Sequence, residues 1–333
     1  MKAPKLRKGM TIGVFSPSTG ISAIVPERYD RGIRYLESRG FRIRHGKLYG
    51  KNDCYRSGSI QERADEFNEL LHDEEVDILM SSIGGNNSNS ILPYIDYEYL
   101  KGHPKIIVGY SDVTALLLGI YARTGLVTFY GPAAAASFGE FPPYVDETYE
   151  SFETVTTLPE GSQYTYPMPE FWTDQMIDWK TQDGPKDRRP NKWITIRDGI
   201  AEGRLIGGNL NTMEGFFGTG FMPEIKEGDI LMIEDTQKSA SAVEREFSLL
   251  KLSGVLDKIS GIIIGKHENF NDMGTGRKYW EIFMEVFGDR KIPILGEFDS
   301  CHCHPMLTLP IGCRVRLDAT GRNVTLLESP VED

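Results

Sequence analysis

Ser111 stands where an apolar run, Ile106-Ile107-Val108-Gly109-Tyr110, gives way to Ser111-Asp112-Val113-Thr114 and a helix-forming stretch. A serine at a sharp strand-to-helix turn is the setting of a nucleophile elbow. The turn exposes the hydroxyl and aims it at the helix N-terminus, whose free N–H groups can stabilise an oxyanion. Gly109 permits close approach of the chain, but Val113 occupies the place of the second glycine of the usual elbow. The same residues therefore also read as a plain N-cap by Ser111 or Asp112. A second polar corner, Gly84-Gly85-Asn86-Asn87-Ser88-Asn89, follows the apolar run at 76–81. Its glycines let backbone N–H groups face a substrate oxygen, or simply make a Gly/Asn turn.

A serine nucleophile needs a base, and the base needs an orienting acid. His45, His72 and His103 lie in surface-like contexts, whereas His302 and His304 fall in the irregular run Cys301-His302-Cys303-His304, ahead of Leu309-Pro310-Ile311-Gly312. For the acid, the strand-like Ile230-Leu231-Met232-Ile233 ends in Glu234-Asp235. A carboxylate at a strand's carboxyl edge suits a site, although a solvated strand end has the same sequence. The Cys/His run also raises zinc chemistry. Consecutive side chains of an extended segment point to opposite sides, and the usual two or more residues between zinc ligands are missing. The expectation is no metal and no cofactor.

Parallel-sheet architecture is what would bring these corners together. Strands are expected at 11–16, 41–45, 76–81, 105–110 and 127–130, and helices at 26–38, from the capping box Ser59-Ile60-Gln61-Glu62 to about Leu71, and at 112–123. Strand–helix alternation implies a parallel sheet with its ligand site at the strands' carboxyl ends. Residues 138–199, rich in Pro, Asp, Lys and aromatics, read as a long functional loop; Trp172, Trp179 and Trp193 argue against simple disorder. A second α/β unit follows, with strands at 229–233, 261–264 and 292–296, helices at 241–253 and near 280–287, and a hairpin at 314–318 and 323–327.

The composition bounds the function. With 333 residues, 40% hydrophobic and 26% charged, the chain is an ordinary globular protein of two domains or one large one. A net charge of −11 excludes a broad nucleic-acid surface while leaving room for a small anionic ligand. The most apolar stretch, 113–122, is about half the length of a membrane span. The basic N-terminus precedes only a short apolar run at 10–15, so a cytoplasmic location is expected. Cys54, Cys301, Cys303 and Cys313 do not form a secreted disulfide framework.

Six segments in order resemble the LD-carboxypeptidases, and within them the microcin C self-immunity serine peptidases. They are Gly13-Val14-Phe15-Ser16-Pro17-Ser18, Ser82-Ile83-Gly84-Gly85-Asn86-Asn87-Ser88, Gly109-Tyr110-Ser111-Asp112-Val113-Thr114, Gly203-Arg204-Leu205-Ile206-Gly207-Gly208-Asn209-Leu210, Leu231-Met232-Ile233-Glu234-Asp235, and the stretch from His302 to Gly312. The resemblance implies a Ser–Glu–His triad of Ser111, Glu234 and His302. Spacing to Pro310 selects His302 over His304, and Cys301 replaces the family's usual glycine. It implies an oxyanion hole from the N–H of Asp112 and that of Gly85 or Asn86.

The implied fold is α/β. A flavodoxin-like N-terminal domain, similar to class I glutamine amidotransferases (1–160, nucleophile), is joined by a linker and substrate loop (161–200). A smaller α/β C-terminal domain (201–333) carries the Glu and His, so the site forms between the domains. The implied activity is serine carboxypeptidase or amidohydrolase. One branch cleaves the bond between an aminoacyl or peptidyl group and a modified nucleotide; the other removes terminal D-alanine from murein tetrapeptides. For the first, the resemblance puts Trp179 against the adenine, with Asn211, Lys238 and Glu268 as further substrate contacts. A homodimer acting on a small molecule, with neither nucleic acid nor membrane as partner, completes the expectation. The reading of another class is a non-catalytic ligand-binding module on the same scaffold.

Overall fold

The computed structural model describes residues 1–333. Its first sheet is built from β1 (Thr11–Phe15), β2 (Arg42–His45), β3 (Ile78–Ser81), β4 (Ile106–Gly109) and β5 (Thr128–Tyr130), all parallel, in the order β2-β1-β3-β4-β5. That is the flavodoxin order, which reverses direction between β1 and β3 and opens a crevice at their carboxyl ends. Three helices cover this sheet for reasons visible in their sequences. Helix α1 (Pro26–Ser38) starts on proline and buries Tyr29, Ile33 and Leu36. Helix α2 (Ile60–His72) is opened by the Ser59/Glu62 capping box. Helix α3 (Thr114–Thr124) is apolar nearly all round. It packs against β5 on one side and the second sheet on the other, as such a helix must.

Residues 138–199 are not one long loop. They contain helix α4 (Tyr144–Thr156), which buries Val145, Tyr149, Phe152 and Val155 at helical spacing. Its many threonines and aromatics are poor helix formers, so burial, not propensity, makes this helix. The segment then supplies β6 (Tyr164–Thr165) and β7 (Ile194–Arg197), the two edge strands of the second sheet. Trp193 is buried in the core and donates its indole N–H to Asp299 at 2.6 Å.

The second sheet has eight strands. They include β8 (Ile200–Asn209), β9 (Ile230–Glu234), β10 (Gly261–Gly265) and β11 (Ile294–Phe298), which run parallel as neighbours. Helices α5 (Ala240–Leu252) and α6 (Tyr279–Phe287) pack against one another. The chain then sends β12 (Leu309–Ile311) back to pair antiparallel with β5 of the first sheet. The hairpin β13 (Arg314–Asp318) and β14 (Asn323–Leu326) finishes the second sheet. One contiguous apolar core runs through both sheets. No helix is long and apolar enough to cross a membrane.

The two units touch where β8 meets α3. A Cβ placed on Gly208 would lie 2.8 Å from Thr114 Cγ2 and 2.9 Å from its Oγ1. The next N–H, of Asn209, donates to Thr114 Oγ1 at 3.0 Å. Gly208→Val is therefore expected to cost about 1–3 kcal/mol by overpacking, seen as a lower urea midpoint; an unchanged midpoint would remove this contact from the account of domain apposition.

Candidate active site

Ser111 leaves β4 with φ of 61°, a left-handed conformation that a serine adopts only when the surroundings impose it. Its N–H donates to Tyr130 Oη at 3.3 Å. The turn is held from the other side by the corner after β3. Asp112, itself buried, accepts the N–H groups of Asn87 and Ser88 at 2.9 Å each. A Cβ on Gly84 would lie 2.8 Å from Ser111 Cβ and 3.0 Å from its Oγ, so only glycine leaves the hydroxyl its place.

The N–H groups around this turn divide into engaged and free. Asn86 N–H donates to Ser18 Oγ at 3.0 Å, which withdraws it from the expected oxyanion pair. The N–H groups of Asp112 and Gly85 donate to no protein acceptor. Gly85 also needs to be glycine, because at φ of 153° its Cβ would lie 2.2 Å from Ser18 Oγ. Buried Arg63 braces the corner, donating to Pro17 O at 2.6 Å and Asn87 O at 3.1 Å.

Glu234 ends β9 with its carboxylate fully enclosed. Oε2 accepts His302 Nδ1–H at 2.7 Å; Oε1 accepts Tyr130 Oη–H at 2.5 Å and Asn209 Nδ2–H at 2.9 Å. Burial alone would raise this carboxyl, but the His302 charge and the three hydrogen bonds hold it below its ordinary value. His302 shows the mirror image: burial pulls it down, and Glu234 more than offsets this, leaving it above 6.5. Its Nε2 is buried without a hydrogen-bond partner. The ring rests edge-on against Tyr110, with centroids 5.0 Å apart.

Ser111 and His302 face a cleft of about 270 Å³ whose wall also carries Gly84, Gly85, Trp179 and Glu268. The Arg28 guanidinium lies over the Trp179 ring, 4.1 Å from its centroid. Glu268 accepts the Thr236 hydroxyl, and burial raises its carboxyl. Asn211 and Lys238 are not in this wall. Both sit at Asp235, the residue after Glu234: Asn211 N–H donates to it at 3.0 Å and Lys238 Nζ lies 4.0 Å from it. His304 has a different carboxylate neighbour from His302, its Nε2 lying 3.9 Å from Glu140. No group of three or more His, Cys, Asp or Glu is placed to hold a metal ion.

Sequence reasoning did not single out Tyr130, Asn209 or Lys186. Tyr130 and Asn209 each end a strand, a position that marks a residue for a site at the sheet's carboxyl edge. His267 was also unconsidered. It accepts Lys238 N–H at 3.1 Å, and burial pushes it down to about 4. It borders a cavity of about 10 Å³ behind Glu234, room for one water and far too small for substrate.

A profile of the LD-carboxypeptidase N-terminal domain matches residues 12–131, and one of the C-terminal domain matches residues 202–317. The chain belongs to the LD-carboxypeptidase family. It is similar to a putative carboxypeptidase of Vibrio cholerae, at 55% identity over 95% of this chain and 94% of that one. It is also similar to the microcin C7 self-immunity protein MccF of Escherichia coli, at 50% identity over 98% and 95%. MccF solved in complex with aspartyl sulfamoyl adenosine superposes with a TM-score of 0.97 at 49% identity, covering all of both chains. Membership makes the chain a serine-type carboxypeptidase, a hydrolase of two α/β domains.

Two outcomes test the geometry. Gly84→Ala should slow fluorophosphonate labelling of Ser111 about 100-fold while leaving the melting temperature near its original value; undiminished labelling would mean that the Gly84 contact is not tight. The second concerns pH. A base works only when neutral, so labelling should fall as pH drops through the raised His302 value, with a limb above 6.5. Glu234→Gln removes the raising charge, so the limb should shift to lower pH. A limb that stays in place would dissociate Glu234 from His302.

Proposed function

We propose that the chain hydrolyses the amide-type bond joining an aminoacyl or peptidyl group to a modified nucleotide, with Ser111 as nucleophile, His302 as base and Glu234 as the orienting acid. The observation that carries the proposal is the placement of Trp179, an aromatic plate, in the same cleft as Ser111 and His302. The full-length likeness to a self-immunity protein solved with an aminoacyl sulfamoyl nucleoside supports the same reading. In this mechanism His302 Nε2 takes the Ser111 proton as Oγ attacks the acyl carbon, and returns it to the departing nitrogen. Glu234 holds the Nδ1–H tautomer and stabilises the imidazolium. The N–H groups of Asp112 and Gly85 receive the oxyanion. Water then releases the acyl group by the reverse proton path.

Trp179 stacks on the base, which contributes ~1–3 kcal/mol. Glu268, in the cleft wall, meets the substrate's amino group. Asn211 and Lys238, both in contact with Asp235, act on the acyl side. The reaction is cytoplasmic and the working unit is a homodimer, which light scattering of the purified chain checks directly.

Aspartyl sulfamoyl adenosine and a murein tetrapeptide offered side by side, with products read by mass spectrometry, decide between the two substrate classes. Release of sulfamoyl adenosine is expected; release of D-alanine alone would transfer the function to murein peptides. Ser111→Ala should abolish turnover with the fold intact. Trp179→Ala should reduce kcat/KM on the nucleoside substrate about tenfold or more, and on the peptide little; equal losses would argue against stacking.

A further inference from the structure

Lys186 is the only lysine or arginine in the cleft wall, and the one anion within 4.0 Å of it already has other partners. Its side chain is 4% exposed, yet its ammonium makes no hydrogen bond. The nearest anion is Glu140, at 3.7 Å from Oε2. Glu140 is already satisfied: Oε2 accepts Arg28 Nη2–H at 3.1 Å, and Oε1 accepts Gln182 Nε2–H at 2.6 Å and Phe141 N–H at 2.9 Å. Arg28 and Lys186 thus place two cations beside one carboxylate. Next to them His304, 5% exposed and also in the wall, has its Nδ1 buried without a partner. Burial and the two cations push His304 well below the ordinary histidine value. An ammonium on a side chain 4% exposed, with its ionic partner no closer than 3.7 Å, and a buried imidazole nitrogen without a partner are each costly, and both costs are offset if an acceptor comes from a ligand in the cleft.

We propose that Lys186, with His304 beside it, forms a subsite for an anionic group on the leaving side of the substrate, borne on the scissile nitrogen or one carbon beyond it. The inference rests on the hydrolase reading above and adds a binding determinant to it. An acyl sulfamate or phosphoramidate has its charged oxygens bonded through the scissile nitrogen. A peptide's terminal residue has its carboxylate one carbon away. The carboxylate oxygens lie one bond farther from the scissile nitrogen than the sulfamate or phosphoramidate oxygens, a difference that the long lysine side chain can span, so one ammonium serves either. Trp179, in the same wall, then receives whatever lies beyond the anion, which a nucleotide has and a terminal amino acid lacks.

The test compares ligands that differ only in this charge, using the full chain. For the nucleotide source, calorimetry compares AMP with adenosine; for the peptide source, kcat/KM compares a murein tetrapeptide with its C-terminal amide. The unmodified chain should favour the anionic member of at least one pair by about tenfold, the value of a charge-assisted hydrogen bond. Lys186→Met should erase that preference while leaving affinity for the neutral member within about twofold. Lys186→Gln, which keeps a polar head, serves as the second variant if Met perturbs folding. A preference confined to AMP assigns the subsite to nucleotides, and one confined to the free acid assigns it to peptides. No preference in either pair in the unmodified chain, a preference that survives Lys186→Met, or equal losses on both members would overturn the proposal. The AMP and adenosine comparison needs no turnover, so failure of the hydrolase reading is distinguishable from failure of the subsite.

Discussion

The enclosed Glu234 carboxylate is the constraint on which the rest of the site depends. A buried carboxylate survives only if its lone pairs are filled, and here the donors come from three places. Tyr130 brings the first sheet, Asn209 the neighbouring strand of the second, and His302 the segment after β11. Removing any of them leaves a buried carboxylate lone pair without its donor. The same carboxylate therefore keeps the domains in register and fixes the imidazole. Tyr130 extends the constraint further, because its oxygen also accepts the N–H of Ser111. A continuous chain of hydrogen bonds thus runs from the strained serine backbone through a phenol and a carboxylate to the histidine, crossing the domain boundary once.

Much of this was legible before any coordinates. The strand–helix alternation predicts the parallel sheet, and Pro26 and the Ser59 capping box mark helix starts at the residues observed. What was hidden has physical reasons. Helix α4 is concealed by a composition that favours no helix and forms only because its apolar stripe is covered. The middle segment reads as a linker because an edge strand of two residues, such as β6, leaves no periodic trace. The return of β12 to the first sheet is a matter of topology, which local pattern does not encode.

The site was legible in proportion to how local its signals are. Ser111 and the glycine corner announce themselves by strand-to-turn context. The choice between His302 and His304 came from family spacing. In the structure the two rings have different partners, Glu234 for His302 and Glu140 for His304. Lys186 lay in the most polar part of the chain, where one lysine looks like any solvated lysine. Only the fold reveals that it is enclosed beside a carboxylate that already has its partners.

One pairing joins these parts. Thr173 and His304 exchange two backbone hydrogen bonds, at 2.9 and 3.0 Å, at the point where the loop bearing Trp179 and Lys186 begins. Trp179 and Lys186 are therefore tethered through a residue two positions from His302. Such a loop is not a detachable cassette. Transplanting it between relatives, or shortening it by a residue, would shift the histidine strand as well. Exchanging side chains along the loop, by contrast, leaves the Thr173–His304 pairing intact.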